Sequence, residues 1–169
     1  IKKQLEAAGF GVVHDTTCHD YPSYNGSYDR SGETIQRNLE KYPDIQVTLD
    51  VHRDAMGTQD GMRIKPTALI NGKKAAQVMI ISGCDDDGTL GFPNWEYNLR
   101  LGVRIQKSLS DLYPGLARPL SFCPKKYNEH MTKGSLLVEF GTEVNTLEEV
   151  KYSGQLFGKA LAETLEQLT

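Results

Sequence analysis

Residues 47–55, Val-Thr-Leu-Asp-Val-His-Arg-Asp-Ala, decide the reading of this chain. Val47, Leu49 and Val51 recur at the period of two that a strand requires, and the segment runs straight into His52, Arg53 and Asp54. In an open α/β sheet ligands gather beyond the carboxyl ends of the strands, so this imidazole stands where such folds keep their chemistry. A second strand is expected at Ser135-Leu-Leu-Val-Glu-Phe-Gly141, and it carries Glu139 to a similar position. One His and one Glu at two strand ends suggest a hydrolase assisted by a metal.

The flanking segments supply the rest of an α/β domain. Ile1 to Ala8 reads as a helix that stops at Gly9, with Phe10 to His14 following as a short strand. Asp15 to Arg30 is a long loop rich in Tyr, Asp, Ser and Gly, a length and composition that favour a binding loop. Ser31 is placed to cap a helix bearing Ile35, Leu39 and Tyr42, which Pro43 closes. Beyond the His52 strand, Thr67–Ile70 and Ala75–Ser82 read as two strands joined through Asn71-Gly72, a two-residue hairpin signal. Val78 to Ser82 is apolar on both faces and belongs centrally in a sheet.

Asn94 is placed to cap a helix carrying Leu101, Ile105, Leu109 and Leu112, whereas Leu116 to Lys133 is irregular with room for one short strand. Thr146 and Glu149 form a capping-box pattern ahead of a last helix with Leu147, Val150, Phe157, Leu161, Leu165 and Leu168. The expected fold class is α/β: a three-layer domain with a central mixed, mostly parallel sheet flanked by helices, the mixing coming from the hairpin. Ile1 opens a helix with no cap, initiator Met or preceding strand. The expectation is therefore a single domain over residues 1–169, truncated at its N-terminus, with the first strand and any upstream anchor missing.

Bulk properties narrow the partners. A chain of 169 residues buries roughly 70% of its unfolded surface, enough for one true core. A formal charge of −3, with Lys and Arg scattered, argues against nucleic acid, and no run of about 18 apolar residues is present to span a bilayer. Cys18, Cys84 and Cys123 are odd in number and lack CxxC spacing, so they read as isolated thiols rather than a disulfide framework or a zinc ribbon.

A catalytic zinc takes three protein ligands and leaves one position for water, while a nearby carboxylate moves protons. His52 suits the first role and Glu139 the second. Taken alone, each has a structural alternative: a hydrogen-bonded imidazole for His52 and an ion pair with Lys or Arg for Glu139. His14 and His19 each precede an Asp that is able to orient an imidazole, although a solvated loop explains both. His130 reads as a surface residue, with a position near the mouth of the site as the alternative. Asp85-Asp86-Asp87 lacks calcium-loop spacing, and no G-x-S-x-G elbow is present.

Several motifs together resemble one family. They are Tyr24-Asn-Gly-Ser-Tyr28-Asp-Arg30-Ser31, Leu49-Asp-Val-His52-Arg-Asp54, Tyr113-Pro-Gly-Leu-Ala-Arg118, Tyr127-Asn128, and Leu137-Val-Glu139-Phe-Gly-Thr-Glu-Val-Asn145-Thr-Leu-Glu-Glu149. Their order and spacing over nearly the whole chain resemble the stage II sporulation protein P family, peptidoglycan hydrolases of endospore-forming bacteria. That family is similar in fold to zinc-dependent N-acetylmuramoyl-L-alanine amidases. The resemblance implies Zn as cofactor, His52 as a metal ligand and Glu139 as the catalytic carboxylate.

The resemblance further implies peptidoglycan as substrate, cleaved at the amide between the lactyl group of N-acetylmuramic acid and L-alanine, with endopeptidase action on stem cross-links as well. A stage II sporulation protein D-like lytic transglycosylase is the implied partner. The implied location is extracytoplasmic and membrane-anchored, on the mother-cell side of the sporulation septum during engulfment. One departure stands out: the family's further ligand His, in a His-Thr-His-like motif before the first helix, has no counterpart here, so the remaining ligands are expected upstream of Ile1 and this chain alone is expected to bind zinc poorly or not at all.

Arg53 and Arg30 are candidates to grip substrate carboxylates or carbonyls, with ion pairs to Asp50 or Asp54 as the alternative. Tyr24 and Tyr28 are candidates to stack on sugar rings, and Asn128 joins them as a candidate substrate contact. The rival functions are a non-catalytic wall-binding domain on the same scaffold and a different zinc peptidase, such as a carboxypeptidase.

Overall fold

A computed structural model describes residues 1–168. Its centre is a four-stranded sheet in the order β1-β6-β4-β5, built from β1 (Thr48–Asp54), β4 (Val78–Gly83), β5 (Ser121–Cys123) and β6 (Ser135–Thr142). β1 and β6 run parallel, as do β4 and β5, while β4 is antiparallel to β6. All eight residues of β6 are buried, as expected of an interior strand covered on both faces. At its start Gly134 permits close approach to β1, because a Cβ there would meet the Gln46 carbonyl oxygen at 2.6 Å.

The hairpin forms as read from Asn71-Gly72, but it differs in place. β2 (Thr67–Ile70) and β3 (Lys73–Ala76) make a separate two-stranded sheet, and β3 is parted from β4 at Gln77. The main sheet is therefore mixed because β4 opposes β6, not because of the hairpin. Residues 10–14 form no strand. They line an open groove of about 2590 Å³ together with residues of β1, an edge strand of the sheet.

Alternating residues send one sheet face into the core. Val78, Ile80, Leu136, Val138 and Phe140 pack with Leu101, Ile105 and Leu109 of α3 (Trp95–Leu112) and with Leu156, Phe157 and Leu161 of α4 (Leu147–Glu166). The short α1 (Lys2–Ala7) adds Leu5 to the same core. The opposite face is covered more thinly, by the first turn of α2 (Ser27–Lys41) and by a 3-10 turn at Glu129–Met131.

Two helix starts differ from expectation. α2 begins at Ser27 after Gly26, whose φ of 78° suits glycine, and Ser31 lies inside the helix donating its hydroxyl to the Tyr28 carbonyl. Asn94 precedes α3 without a side-chain cap bond, whereas Thr146 and Glu149 complete the capping box of α4.

Phe140 and Phe157 meet edge to face at 5.3 Å, joining the central strand to α4. Phe157 is fully buried, so its truncation leaves a cavity in a close-packed interior. Phe157→Ala is expected to lower stability by roughly 3–5 kcal/mol, read from urea denaturation midpoints at constant slope.

Candidate functional site

Parallel pairing of β1 with β6 brings the two expected residues side by side, since His52 is the register partner of Glu139. Strand alternation turns Asp50, His52 and Asp54 to one face of β1, and Glu139 shares that face on β6. This is the thinly covered side of the sheet, so the polar groups open toward α2 and its preceding loop rather than into the apolar core.

His52 is half-buried and its Nε2 donates to Asp50 Oδ1 at 2.9 Å. That bond raises the imidazole pKa above its ordinary value against the opposing effect of burial, and it leaves Nδ1 as the free ring nitrogen. The Tyr28 ring lies over the imidazole, stacked at 6.2 Å between centroids with 20° between planes. Burial pushes the Tyr28 hydroxyl pKa upward, with the Asp50 and Glu139 charges adding to it, so this phenol stays protonated.

Glu139 is 8% exposed, and its Oε2 has no hydrogen-bond partner among the described residues. Burial raises its pKa to about 7, and the neighbouring Asp54 and Asp50 add to the rise against His52 and Arg118. A carboxyl poised there can exchange a proton near neutral pH. Glu129 lies deeper in the same layer. It is also buried, with its pKa pushed to about 8 by burial although its carboxyl accepts from the backbone N–H groups of Gly83 (2.7 Å) and Leu137 (3.3 Å).

The other expected contacts divide by what they touch. Asn128 donates to the Tyr28 carbonyl at 2.7 Å and to Ser31 Oγ at 3.0 Å, tying the first turn of α2 to the loop after β5. Tyr24 is 71% exposed on the loop before α2, free to meet a ligand. Arg30 bonds the carbonyls of His19 (2.8 Å), Asn25 (3.3 Å) and Ser23, folding that loop around itself. Arg53 Nη2 reaches the carbonyls of Thr142 (2.6 Å) and Asn145 (2.5 Å) and holds the turn after β6.

Neither arginine pairs with Asp50 or Asp54. Asp50 serves His52, and Asp54 meets Arg118 at 2.9 Å. His14 is exposed, the His19 ring bonds Thr34 Oγ1 at 3.0 Å, and His130 sits on the surface against the edge of Phe92. The Asp85 carboxylate accepts from the N–H groups of Leu90 and Phe92 and so closes its own turn. Cys18, Cys84 and Cys123 are free thiols.

Three further residues, Asp50, Arg118 and Glu129, join the site beyond those that the sequence pattern marks as functional. Asp50 had a signal available, the period of two that puts residues 50 and 52 on one face. Arg118 and Glu129 come from irregular sequence and meet the site only through tertiary packing.

A zinc ion fits part of this donor set. His52 offers one imidazole with Asp50 orienting its far nitrogen, and the unpartnered Glu139 Oε2 is a buried acceptor awaiting a donor. Among the described residues, no three or more His, Cys, Asp or Glu side chains converge to hold a metal. The residues present thus offer one imidazole and one buried carboxyl, not a closed coordination shell.

The profile of a family described as Stage II sporulation protein P matches residues 1–162. The protein named stage II sporulation protein P of Bacillus subtilis (strain 168) is 29% identical over 160 residues, covering 87% of this chain. The chain spans 37% of that relative's length. No solved structure matches.

Burial of Glu129 and Glu139 carries a pH signature. Both are raised above the ordinary 4.5, to about 8 and about 7, so the native state keeps protons that the unfolded chain sheds. Their contribution is complete below pH 4.5 and is lost as pH rises through 7 to 8. Urea unfolding at pH 5 and pH 8 should show lower stability at the higher pH, with side-chain carboxyl ¹³C resonances of both glutamates titrating well above the usual carboxylate range. Titration of both near 4.5 would remove this account.

Proposed function

The chain belongs to the stage II sporulation protein P family, and from that premise we propose that it is the catalytic part of a peptidoglycan hydrolase active in sporulation. The bond cut is the amide joining the muramic lactyl group to L-alanine, with stem-peptide cross-links as further substrates. The observation that carries this reading is the pairing of His52 with Glu139 at one rim of the sheet, with Glu139 Oε2 buried and unpartnered.

Glu139 is the proton carrier. In its ionised form it accepts a proton from an attacking water, and as an acid it hands that proton to the departing L-alanine amine. Its pKa of about 7 lets both states be reached near neutral pH. His52, held by Asp50 at Nε2, would offer Nδ1 to a zinc ion, whose remaining ligands would be supplied from outside the described residues. Zinc, when bound, polarises the carbonyl and lowers the pKa of water.

Tyr28 shields the imidazole, and the exposed Tyr24 offers a ring on which a sugar can stack. Arg30, by folding its loop, positions that tyrosine. No helix among the described residues is long and apolar enough to cross a membrane. The extracytoplasmic, membrane-anchored placement and the lytic transglycosylase partner are proposals for the whole protein, since the chain spans 37% of its relative's length.

In the full-length protein Glu139→Gln is expected to reduce digestion of purified sacculi by 10²–10⁴-fold while sacculus binding persists. Mass spectrometry of the parent digest should give glycan strands free of peptide plus intact stems. Undiminished digestion by Glu139→Gln would refute the role of Glu139, and a parent that binds but never digests would identify a wall-binding domain. His52→Ala should lower zinc content, measured by atomic emission, and an unchanged content would remove His52 from the ligand set.

A further inference from the structure

Arg118 reaches the site by an unusual route. Ala117 bridges to Val78 on the side of β4 away from β6, since Val78 also pairs with Phe140 of β6, and the Arg118 N–H donates to the Val78 carbonyl at 2.7 Å. Yet the Arg118 guanidinium meets Asp54 on β1, the far neighbour of β6, with Nη1 at 2.9 Å from Oδ2. Neighbouring strands lie about 4.8 Å apart. The side chain must therefore cross the sheet surface at the end of β6 next to Glu139, on the face that Asp54 shares with His52.

The bonding of that guanidinium is incomplete. Asp54 takes Nη1, while Nε and Nη2, which form one straight edge with two parallel N–H groups, meet no acceptor among the described residues. Such an edge matches the two oxygens of a carboxylate, the pairing for which arginine is best built. The side chain is 16% exposed, so the edge is screened from bulk water but reachable by a ligand. Arg30 and Arg53, by contrast, direct guanidinium nitrogens to backbone carbonyls.

We infer that Arg118 is a substrate-binding residue that presents its Nε–Nη2 edge to the α-carboxylate of the second stem residue, with Asp54 fixing the orientation of the guanidinium. This rests on the hydrolase reading above, because the α-carboxylate of the D-glutamate that follows L-alanine is the nearest free anion to the amide that Glu139 serves. The contact would set the register of the stem peptide in the site and favour stems whose α-carboxylate is free over those in which it is amidated.

The test uses the full-length protein carrying Glu139→Gln, so that ligand survives. Two probes are titrated by calorimetry: N-acetylmuramoyl-L-alanyl-D-glutamate, and the same compound with its α-carboxylate converted to a carboxamide. Adding Arg118→Lys keeps the positive charge and a partner for Asp54 but removes the planar edge. The carboxylate probe should then bind at least 10-fold more weakly, with binding of the carboxamide probe unchanged.

Equal affinity of the two Arg118 forms for the carboxylate probe overturns the assignment, and so does an equal loss for both probes. Circular dichroism melting of Arg118→Lys and Arg118→Gln checks that each variant is folded, and the Gln form should lose the same preference. Failure of the Glu139→Gln protein to bind either probe would instead bring down the hydrolase reading, and this assignment with it.

Discussion

The parallel ladder between β1 and β6 is the constraint on which the site depends. Thr48 pairs with Ser135 and the register runs unbroken to His52 and Glu139. Because side chains alternate along both strands, a slip of one residue would turn either His52 or Glu139 to the core face. The register is pinned at both ends. Thr48 Oγ1 and Ser135 Oγ bond across the start of the strands, and at the far end Arg53 joins β1 to the carbonyls of Thr142 and Asn145. Between them lies a strand whose core-facing side chains, Leu136, Val138 and Phe140, cannot be exposed without losing the main hydrophobic contact of the domain.

That rim is braced by a second polar knot. Asn145 Oδ1 accepts from the Thr142 N–H at 2.9 Å, and its Nδ2 donates to the Pro66 carbonyl and to Glu149 Oε2. Glu149 in turn closes the α4 capping box and meets Lys65. Gly141 makes the knot possible, with a φ of 65° and no room for a Cβ beside Asn145 and Ala76. The stretch from Leu137 to Glu149 thus carries Glu139 and also the frame that holds it. Buried polar groups of this kind are costly unless bonded, and here nearly all are. Glu139 Oε2 is an exception, at the place where chemistry is expected.

The two faces of the sheet divide the labour. One is apolar and thickly covered by α3 and α4, which makes the backbone rigid. The other carries Asp50, His52, Asp54 and Glu139 beneath a single turn of α2 and a short 3-10 turn, from which Glu129 sends its carboxyl down to the strand N–H groups of Gly83 and Leu137. Thin cover removes enough water to shift carboxyl pKa values upward while leaving side chains within reach of a ligand. Tyr28 lies where the layers meet, tied through its carbonyl to Asn128 and through its ring to His52.

Local pattern alone determined the α/β class, the long helices, the capping box, the Asn-Gly turn and the strands that bear His52 and Glu139. Each of these follows from periodicity or from backbone chemistry within a few residues. Only tertiary structure decided that the hairpin stands apart from the sheet, that residues 10–14 remain unpaired along the groove beside β1, and that Arg118 rather than Arg53 meets Asp54. Guanidinium groups have long, flexible stems, and their partners are set by whichever acceptors the fold brings near, so sequence neighbours such as Arg53 and Asp54 need not pair. Strand pairing has the same origin. A strand's ladder partners lie far along the chain, and no local pattern names them until the core has closed.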